Sequence, residues 1–360
     1  MTASGDVPAP GSPAELPVRV AVVDDSPAAA RILASFLRAD RRVGEVTAVT
    51  DPAAAAEAVA AARPDVVTLD LEMPPPGGIG VLTELAARSR VPVVVVTGVS
   101  RSAAHATLRA IELGAVDFVL KYEPGRDTDV GAVRRELLDK VVAAASSRLV
   151  RRNALVCRPD ESGDRCPARY LVVIGASTGG PTAIQKVLSE LPECGAVAVL
   201  IAQHLPAGFT PALAAQLSRY ANAPVREAVS GDALVAGEVL IAPGGCHTIV
   251  RPDGRVDVVP AGNALSPSVD QVMTSASMAF GRRLHAVVLS GMGADGGAGL
   301  AAVKRAGGVT YAQEPATCVI PGMPTRAIAR GVVDHVLTPD AIGRRLGMIS
   351  GSVRPARAGK

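Results

Sequence analysis

Aromatic side chains are scarce: the 360 residues hold four Phe, four Tyr and no Trp. Hydrophobic cores must therefore be built from Ala, Val, Leu and Ile. Stacking platforms for single-stranded nucleic acid are excluded, as are sugar sites built on Trp. No apolar run approaches the ~18–20 residues that span a bilayer, which argues against membrane insertion. Residues 1–17 are rich in Pro, Ala, Gly and Ser but lack a basic start and an apolar stretch. They do not read as a signal peptide and are expected to form a disordered extension. The five cysteines, Cys157, Cys166, Cys194, Cys246 and Cys318, are odd in number and form no C-x-x-C pair. That disfavours a disulfide framework or a zinc site and suits a reducing cytoplasm. Dense basic tracts are missing as well, so nucleic acid is not an expected partner.

Hydrophobic residues nevertheless make up 48% of the chain and charged residues 20%, enough for sizeable cores. The length predicts two domains, or three. The formal charge of +3 divides into −4 over residues 1–125, +2 over residues 126–168 and +5 over residues 169–360, a split compatible with the two halves docking on each other. In the front half, Val18–Val23, Gly44–Val49, Val66–Leu69, Val91–Val96 and Phe118–Leu120 read as strands. Helical stretches lie between them at Ala28–Leu37, Ala53–Ala62, Val81–Arg88 and Ala103–Leu113. Continuous apolar strands alternating with helices predict a parallel sheet covered on both faces. The back half repeats the pattern, with strands at Leu171–Ile174, Val197–Ala202, Val239–Ala242 and Ala286–Leu289. Its helices are Pro181–Leu191, Pro211–Leu217, Val269–Phe280 and Gly299–Ala306. The fold class is α/β, with two doubly wound parallel-sheet domains. A helix near Gly131–Leu149 and a polar tract from Arg158 to Pro167 join them. The basic, Pro/Ala-rich tail reads as frayed.

Open parallel sheets bind ligands at the carboxyl ends of their strands, and the front half gathers its charged residues there. Asp24 and Asp25 follow the first strand, Asp70 ends the third, Thr97 the fourth and Lys121 the fifth. Carboxylates brought together repel unless a cation offsets them, and a hard Mg²⁺ suits oxygen ligands. Asp70 could then attack a phosphoryl group, with Thr97 and Lys121 holding its oxygens. The blander reading makes Asp24 and Asp25 caps of the helix that begins at Ser26-Pro27.

In the back half, the strand Leu171–Ile174 runs into Gly175-Ala-Ser177-Thr-Gly179-Gly180-Pro181. Small residues around Ser177 permit a tight strand-to-helix turn that lifts a nucleophilic hydroxyl to the sheet edge, near free helix amides. The same turn would also suit phosphate binding, or Ser177 as a simple N-cap. Of the five histidines, His204 ends a strand on the same edge and is the favoured base. His247 is a weaker candidate that could orient substrate; His335, in an apolar run, reads as a core residue. Asp295, in the glycine-rich loop Ser290–Gly297, supplies an orienting acid, or is only a turn residue. The order Ser, His, acid differs from the α/β-hydrolase order.

The front half resembles the response-regulator receiver domain. That resemblance implies Asp70 as phosphoacceptor, Asp24, Asp25 and Asp70 as Mg²⁺ ligands, and Thr97 and Lys121 as phosphoryl contacts. Phe118 stands where that family keeps a switching aromatic. Two departures are Pro75-Pro76-Gly77-Gly78 after Met73-Pro74, and Tyr122 in place of a proline after Lys121. In the back half, Gly-Ala-Ser-Thr-Gly-Gly-Pro, Gln-His-Leu-Pro, Ala-Pro-Gly-Gly-x-His and Ser-Gly-Met-Gly-Ala-Asp-Gly resemble the chemotaxis protein-glutamate methylesterase family, CheB. This implies a receiver domain over 18–140, a linker over 141–168, a catalytic domain over 169–350 and a basic tail over 351–360. It further implies Ser177 as nucleophile, His204 as base, Asp295 as orienter, the Met292 amide as an oxyanion contributor and Thr178 lining the site. The expected activity is hydrolysis of glutamate γ-methyl esters on chemoreceptors, with deamidation of receptor glutamines. A chemotaxis histidine kinase would be the phosphodonor, the esterase step would need no cofactor, and the location would be cytoplasmic, at receptor arrays. The alternative is an adaptor with an inactive esterase fold; a non-hydrolytic nucleotide module is disfavoured by the absence of a G-K-[ST] continuation.

Overall fold

The computed structural model describes residues 17–121, 129–146, 166–191, 195–262 and 266–351. The expectations for the N-terminal extension, Tyr122, most of the linker and the basic tail lie outside these residues.

The front half runs β1 (Val18–Val23), α1 (Pro27–Arg38), β2 (Val43–Val49), α2 (Ala55–Ala62), β3 (Val66–Asp70), α3 (Gly77–Arg88), β4 (Val93–Thr97), α4 (Arg101–Glu112), β5 (Asp117–Leu120) and α5 (Val130–Ala145). The strands form one parallel sheet ordered β2-β1-β3-β4-β5. β3 and β4 are buried along their whole length, as strands covered on both faces must be. Alternation along β1 sorts its side chains. Val20 and Val22 pack with α1 and α5, while Ala21 and Val23 pack with α2, α3 and α4. Side-chain caps set several helix starts: Ser26 accepts from the Ala29 amide and Ser100 from the Ala103 amide.

The back half begins β6 (Tyr170–Ala176), α6 (Gly180–Ser189), β7 (Val197–Gln203), α7 (Thr210–Leu217), β8 (Val225–Glu227), β9 (Val239–Ile241), β10 (Cys246–Val250) and β11 (Val256–Pro260). It continues α8 (Val269–Phe280), β12 (Leu284–Val288), α9 (Gly297–Arg305), β13 (Val309–Gln313), α10 (Gly322–Ala329), β14 (His335–Leu337) and α11 (Pro339–Gly351). Seven parallel strands are ordered β14-β13-β12-β6-β7-β9-β8, and β10 and β11 form a separate antiparallel hairpin. Helices α6, α7 and α11 cover one face, and α8, α9 and α10 the other. Two doubly wound parallel-sheet domains are thus present, as the alternation anticipates. Strands β8, β13 and β14 and the hairpin are additions to the sequence reading. His335 opens the edge strand β14 and is only half-buried, because that strand has a neighbour on one side alone. His285 lies within β12 rather than before it.

Candidate active site and phosphoacceptor cluster

β1, β3, β4 and β5 end along one edge of the first sheet, and their last residues meet there. One oxygen each from Asp24, Asp25 and Asp70 lie within 4.8 Å of one another. Asp24 Oδ1 accepts the Ser26 amide at 2.9 Å, but its buried Oδ2 accepts no hydrogen bond and has the Lys121 ammonium 3.3 Å away. Lys121 also donates to Asp70 Oδ2 at 2.5 Å. Burial pushes the Asp24 carboxyl above its usual range against the pull of Lys121, and the Asp70 charge adds to the rise. Burial would lower the Lys121 ammonium, yet Asp70 and Asp24 raise it above its ordinary value. Three clustered carboxylates, two of them paired with one ammonium and with a buried oxygen accepting no hydrogen bond, fit a divalent cation bound through oxygen. The helix-cap reading holds only in part, because the cap is the Ser26 hydroxyl. Thr97 is buried, with its Oγ1 3.1 Å from that of Thr107. The departing loop is built tightly onto this edge. Pro75–Pro76 is cis, and a Cβ on Gly78 would fall 2.2 Å from the Asp70 carbonyl oxygen, so only glycine fits.

On the second sheet, β6 and β7 pair in register from Tyr170↔Val197 to Ala176↔Gln203. Ser177 and His204 come next on each strand, about one strand spacing (~4.8 Å) apart. The His204 amide donates to the Ala176 carbonyl at 3.0 Å, so the alignment persists beyond the strands. Helix α6 is capped by Gly179 at φ +75°, which rules out Ser177 as its N-cap. Gln203 donates to the Ser177 carbonyl at 2.9 Å. On the opposite side of β6, the Ser177 amide donates to the Ser290 carbonyl at 3.0 Å. A Cβ on Gly291 would fall 2.8 Å from Ser177 Cβ, so the loop bearing Met292 and Asp295 lies directly against Ser177. No hydrogen bond consumes the Met292 amide among the described residues.

His204 Nε2 lies 2.8 Å from Asp295 Oδ2. Asp295 also accepts the amides of Val269 and Asp270, each at 2.8 Å, and its own loop's Gly296 amide at 3.0 Å. Burial pushes its carboxyl up, but the His204 hydrogen bond and the two α8 amides outweigh burial and hold it below the usual range. An ionised, acceptor-only Asp295 fixes the proton on Nε2 and leaves Nδ1 as the basic atom. Ser177 Oγ makes no hydrogen bond to the ring among the described residues; such contacts tighten when substrate binds. His247 Nδ1 accepts the Ser268 amide at 3.4 Å, which puts this second histidine beside the start of α8, where Asp295 accepts the Val269 and Asp270 amides.

The two sites are linked by a face that sequence reasoning did not supply. Thr178, next to Ser177, donates to Asp117 Oδ2 of β5 at 2.5 Å. Asp117 is paired with Lys140 at 3.4 Å, and Lys140 also donates to the Phe118 carbonyl at 2.7 Å. Burial would lower the Lys140 ammonium, but Asp117 and Glu136 raise it. Phe118 stacks on Phe209, with ring centroids 5.1 Å apart and planes 3° from parallel. Arg219, just after α7, donates to Glu112 at the end of α4. The only sequence signals for this face were the opposite charges of the halves and the position of Phe118 three residues before Lys121.

A receiver-like sheet whose β5 is seated beside a serine turn defines a two-domain architecture, a receiver-type domain docked on a hydrolase-type one. Comparison with known proteins agrees with that class. The CheB methylesterase family pattern matches residues 172–346, and the response-regulator receiver pattern matches residues 20–128. A protein-glutamate methylesterase/protein-glutamine glutaminase of Symbiobacterium thermophilum is 41% identical, over 92% of this chain and 98% of its own. One from Anaeromyxobacter dehalogenans is 43% identical over 91% and 95%. The crystal structure of the Thermotoga maritima CheB methylesterase catalytic domain aligns with a TM-score of 0.48 at 35% identity, covering 50% of this chain and 98% of that one. The chain belongs to the CheB protein-glutamate methylesterase family. Among the described residues no helix is long and apolar enough to cross a membrane.

Proposed function

We propose that the chain is a serine esterase that hydrolyses glutamate γ-methyl esters on chemoreceptors, under the control of receiver phosphorylation at Asp70. The observation that carries it is the 2.8 Å His204–Asp295 contact beside a register-aligned Ser177. Ser177 Oγ attacks the ester carbonyl while His204 Nδ1 takes its proton, and the Met292 amide stabilises the oxyanion. The C–O bond to methoxide breaks as His204 returns the proton, releasing methanol. Water, deprotonated by the same nitrogen, attacks the acyl-enzyme, and the glutamate leaves with Ser177 regenerated. A glutamine amide follows the same course with ammonia as leaving group. Thr178 lines the site. No cofactor enters these steps.

In the receiver domain, Asp24, Asp25 and Asp70 would hold Mg²⁺, which offsets charge on an incoming phosphoryl group. Lys121 and Thr97 contact the phosphoryl oxygens, and a histidine kinase is the donor. The docked state restrains the esterase because Asp117 holds Thr178 and the Phe118–Phe209 stack covers the same edge. Phosphorylation at Asp70 loosens this face. The setting is the cytoplasmic side of receptor arrays.

The test is methanol release from methylated receptor by the full chain and by Ser177→Ala, with and without acetyl phosphate plus Mg²⁺. Release that vanishes in Ser177→Ala and rises with the donor supports both parts. Release indifferent to the donor removes the regulatory part. No release from a verified substrate by folded protein favours an adaptor with an inactive esterase fold.

A further inference from the structure

Asp270 is a charged side chain beside the Ser–His–Asp site that the chemistry above does not use. It occupies the second position of α8, one residue after Val269, whose amide Asp295 accepts. Its Oδ1 accepts the Gly299 amide at 2.6 Å, and the Ala298 amide adds to the pull on its carboxyl. Both amides belong to the first turn of α9, the helix that begins two residues after Asp295. The arrangement is reciprocal: Asp295, ahead of α9, sits on the first amides of α8, while Asp270, in α8, sits on the first amides of α9. Each carboxylate meets the positive end of the other's helix.

The two helices are brought close enough for this exchange by glycines. A Cβ on Gly299 would lie 3.1 Å from Asp270 Cα and 2.7 Å from Met273 Cβ. A Cβ on Gly296, at φ +93°, would lie 3.0 Å from Val269 Cγ1. The arrangement also has an electrostatic cost. Burial and the neighbouring Asp295 charge push the Asp270 carboxyl above its usual range, while the α9 amides pull it back. A helix start needs only one acceptor, and a serine cap is already present at Ser268. A second carboxylate beside Asp295 is therefore not explained by capping α8.

We infer that Asp270 is a positioning residue for the esterase: by anchoring the first turn of α9 it fixes the 291–299 loop, so that Asp295 Oδ2 is aimed at His204 Nε2 and the Met292 amide is held against Ser177. The inference rests on the esterase reading above, and Asp270 touches neither the substrate nor the reacting atoms. Without it, Asp295 keeps its α8 amides but loses the counter-anchor that sets its angle. A misplacement of about 1 Å costs on the order of 100-fold in rate.

The test uses the full chain with acetyl phosphate and Mg²⁺, comparing Asp270→Ala and Asp270→Asn with wild type. A fluorophosphonate titration counts competent Ser177, so that turnover is expressed per labelled site. Asp270→Ala is expected to lower kcat per labelled site by about 100-fold at unchanged KM. Asp270→Asn, which keeps one oxygen for the Gly299 amide, should recover part of that loss. The downfield proton resonance of the His204–Asp295 hydrogen bond, assigned by its loss in His204→Gln, should move in both variants. A drop explained wholly by fewer labelled sites, with the resonance unmoved, would make Asp270 merely structural and overturn the inference. So would wild-type turnover per site in Asp270→Ala. Wild-type release by Ser177→Ala would instead reject the esterase reading, and the resonance would still report whether Asp270 aims the pair.

Discussion

The two sheet edges each carry a buried carboxylate at a site of chemistry, and they hold it in opposite ways. At the receiver edge, Asp24 Oδ2 is buried without a hydrogen bond, and its carboxyl is pushed up by burial and by Asp70. At the esterase edge, Asp295 accepts from three backbone amides and one imidazole, and its carboxyl is held down. The first edge is incomplete by itself and gains from what arrives, a cation or a phosphoryl group. The second is complete by itself and needs only substrate. Preorganised dipoles do for Asp295 what an external ion would do for Asp24. The same fold logic, functional groups at strand ends, thus yields two edges that hold charge in opposite ways.

The largest expected effect tests the completeness of the esterase edge. Asp295→Asn replaces an acceptor with a group that can donate, which favours the wrong imidazole tautomer. A fall in kcat of about 10⁴-fold is expected, read as methanol release per fluorophosphonate-titrated site. A loss under tenfold would show that the amides around Asp295, rather than its charge, orient His204, and the contrast with Asp24 would collapse.

A smaller effect is expected at the contact joining the two edges. Asp117→Ala removes the acceptor of the Thr178 hydroxyl and leaves Lys140 with only Glu136 of its two carboxylate partners. A hydrogen bond to a charged group contributes roughly 1.5 kcal/mol, so basal release without phosphodonor should rise about tenfold. Unchanged basal release would mean that the Asp117–Thr178 contact does not restrain the esterase.

The receiver edge should respond to a cation, and the esterase edge should not. Magnesium at ten times its dissociation constant stabilises a chain that binds it only when folded by about 1.4 kcal/mol. Wild type and Ser177→Ala should therefore share a rise in melting temperature on adding Mg²⁺, and Asp24→Asn should lose it. An equal rise in Asp24→Asn would remove that aspartate from the metal site.

Most of the parallel framework was legible because its strands are buried on both faces and so carry uninterrupted apolar runs. β1 and α8 have the very bounds that the sequence predicts. What escaped has physical reasons. β8 is a three-residue edge strand with too little apolar sequence to register, and β14, equally short, showed only as the apolar run around His335. The β10–β11 hairpin was passed over although Pro252-Asp253-Gly254 is a turn signal; its strands mix Thr, Asp and Val rather than forming an apolar run. Chemistry-bearing residues at strand ends, Ser177, His204 and Asp295, could be found because topology gathers strand ends on one edge. Asp117, Lys140 and Asp270 could not, since each matters only through a partner distant in sequence: Thr178, Asp117 and Gly299. Asp270 in particular reads as an ordinary acidic residue in a first helical turn. Only the position of α9 gives it a second role.

The smallest effect is in stability, and its sign should differ between the edges. Asp24 has a raised folded-state pKa, so the folded chain holds that proton more tightly than the unfolded one. Its contribution to stability therefore worsens as pH climbs from about 3.8 through the folded value. Asp295 has a lowered folded-state pKa, so its contribution is fully present above about 3.8 and is lost as pH falls through the folded value. Urea unfolding of wild type, Asp24→Asn and Asp295→Asn across this range, in Mg²⁺-free buffer, reads both terms. The wild-type-minus-mutant difference should fall with rising pH for Asp24 and rise with it for Asp295. Two curves of the same sign would mean that the amides of α8 do not compensate the burial of Asp295, or that Lys121 alone suffices for Asp24. In either case the edges would differ in their chemistry but not in how their charge is held.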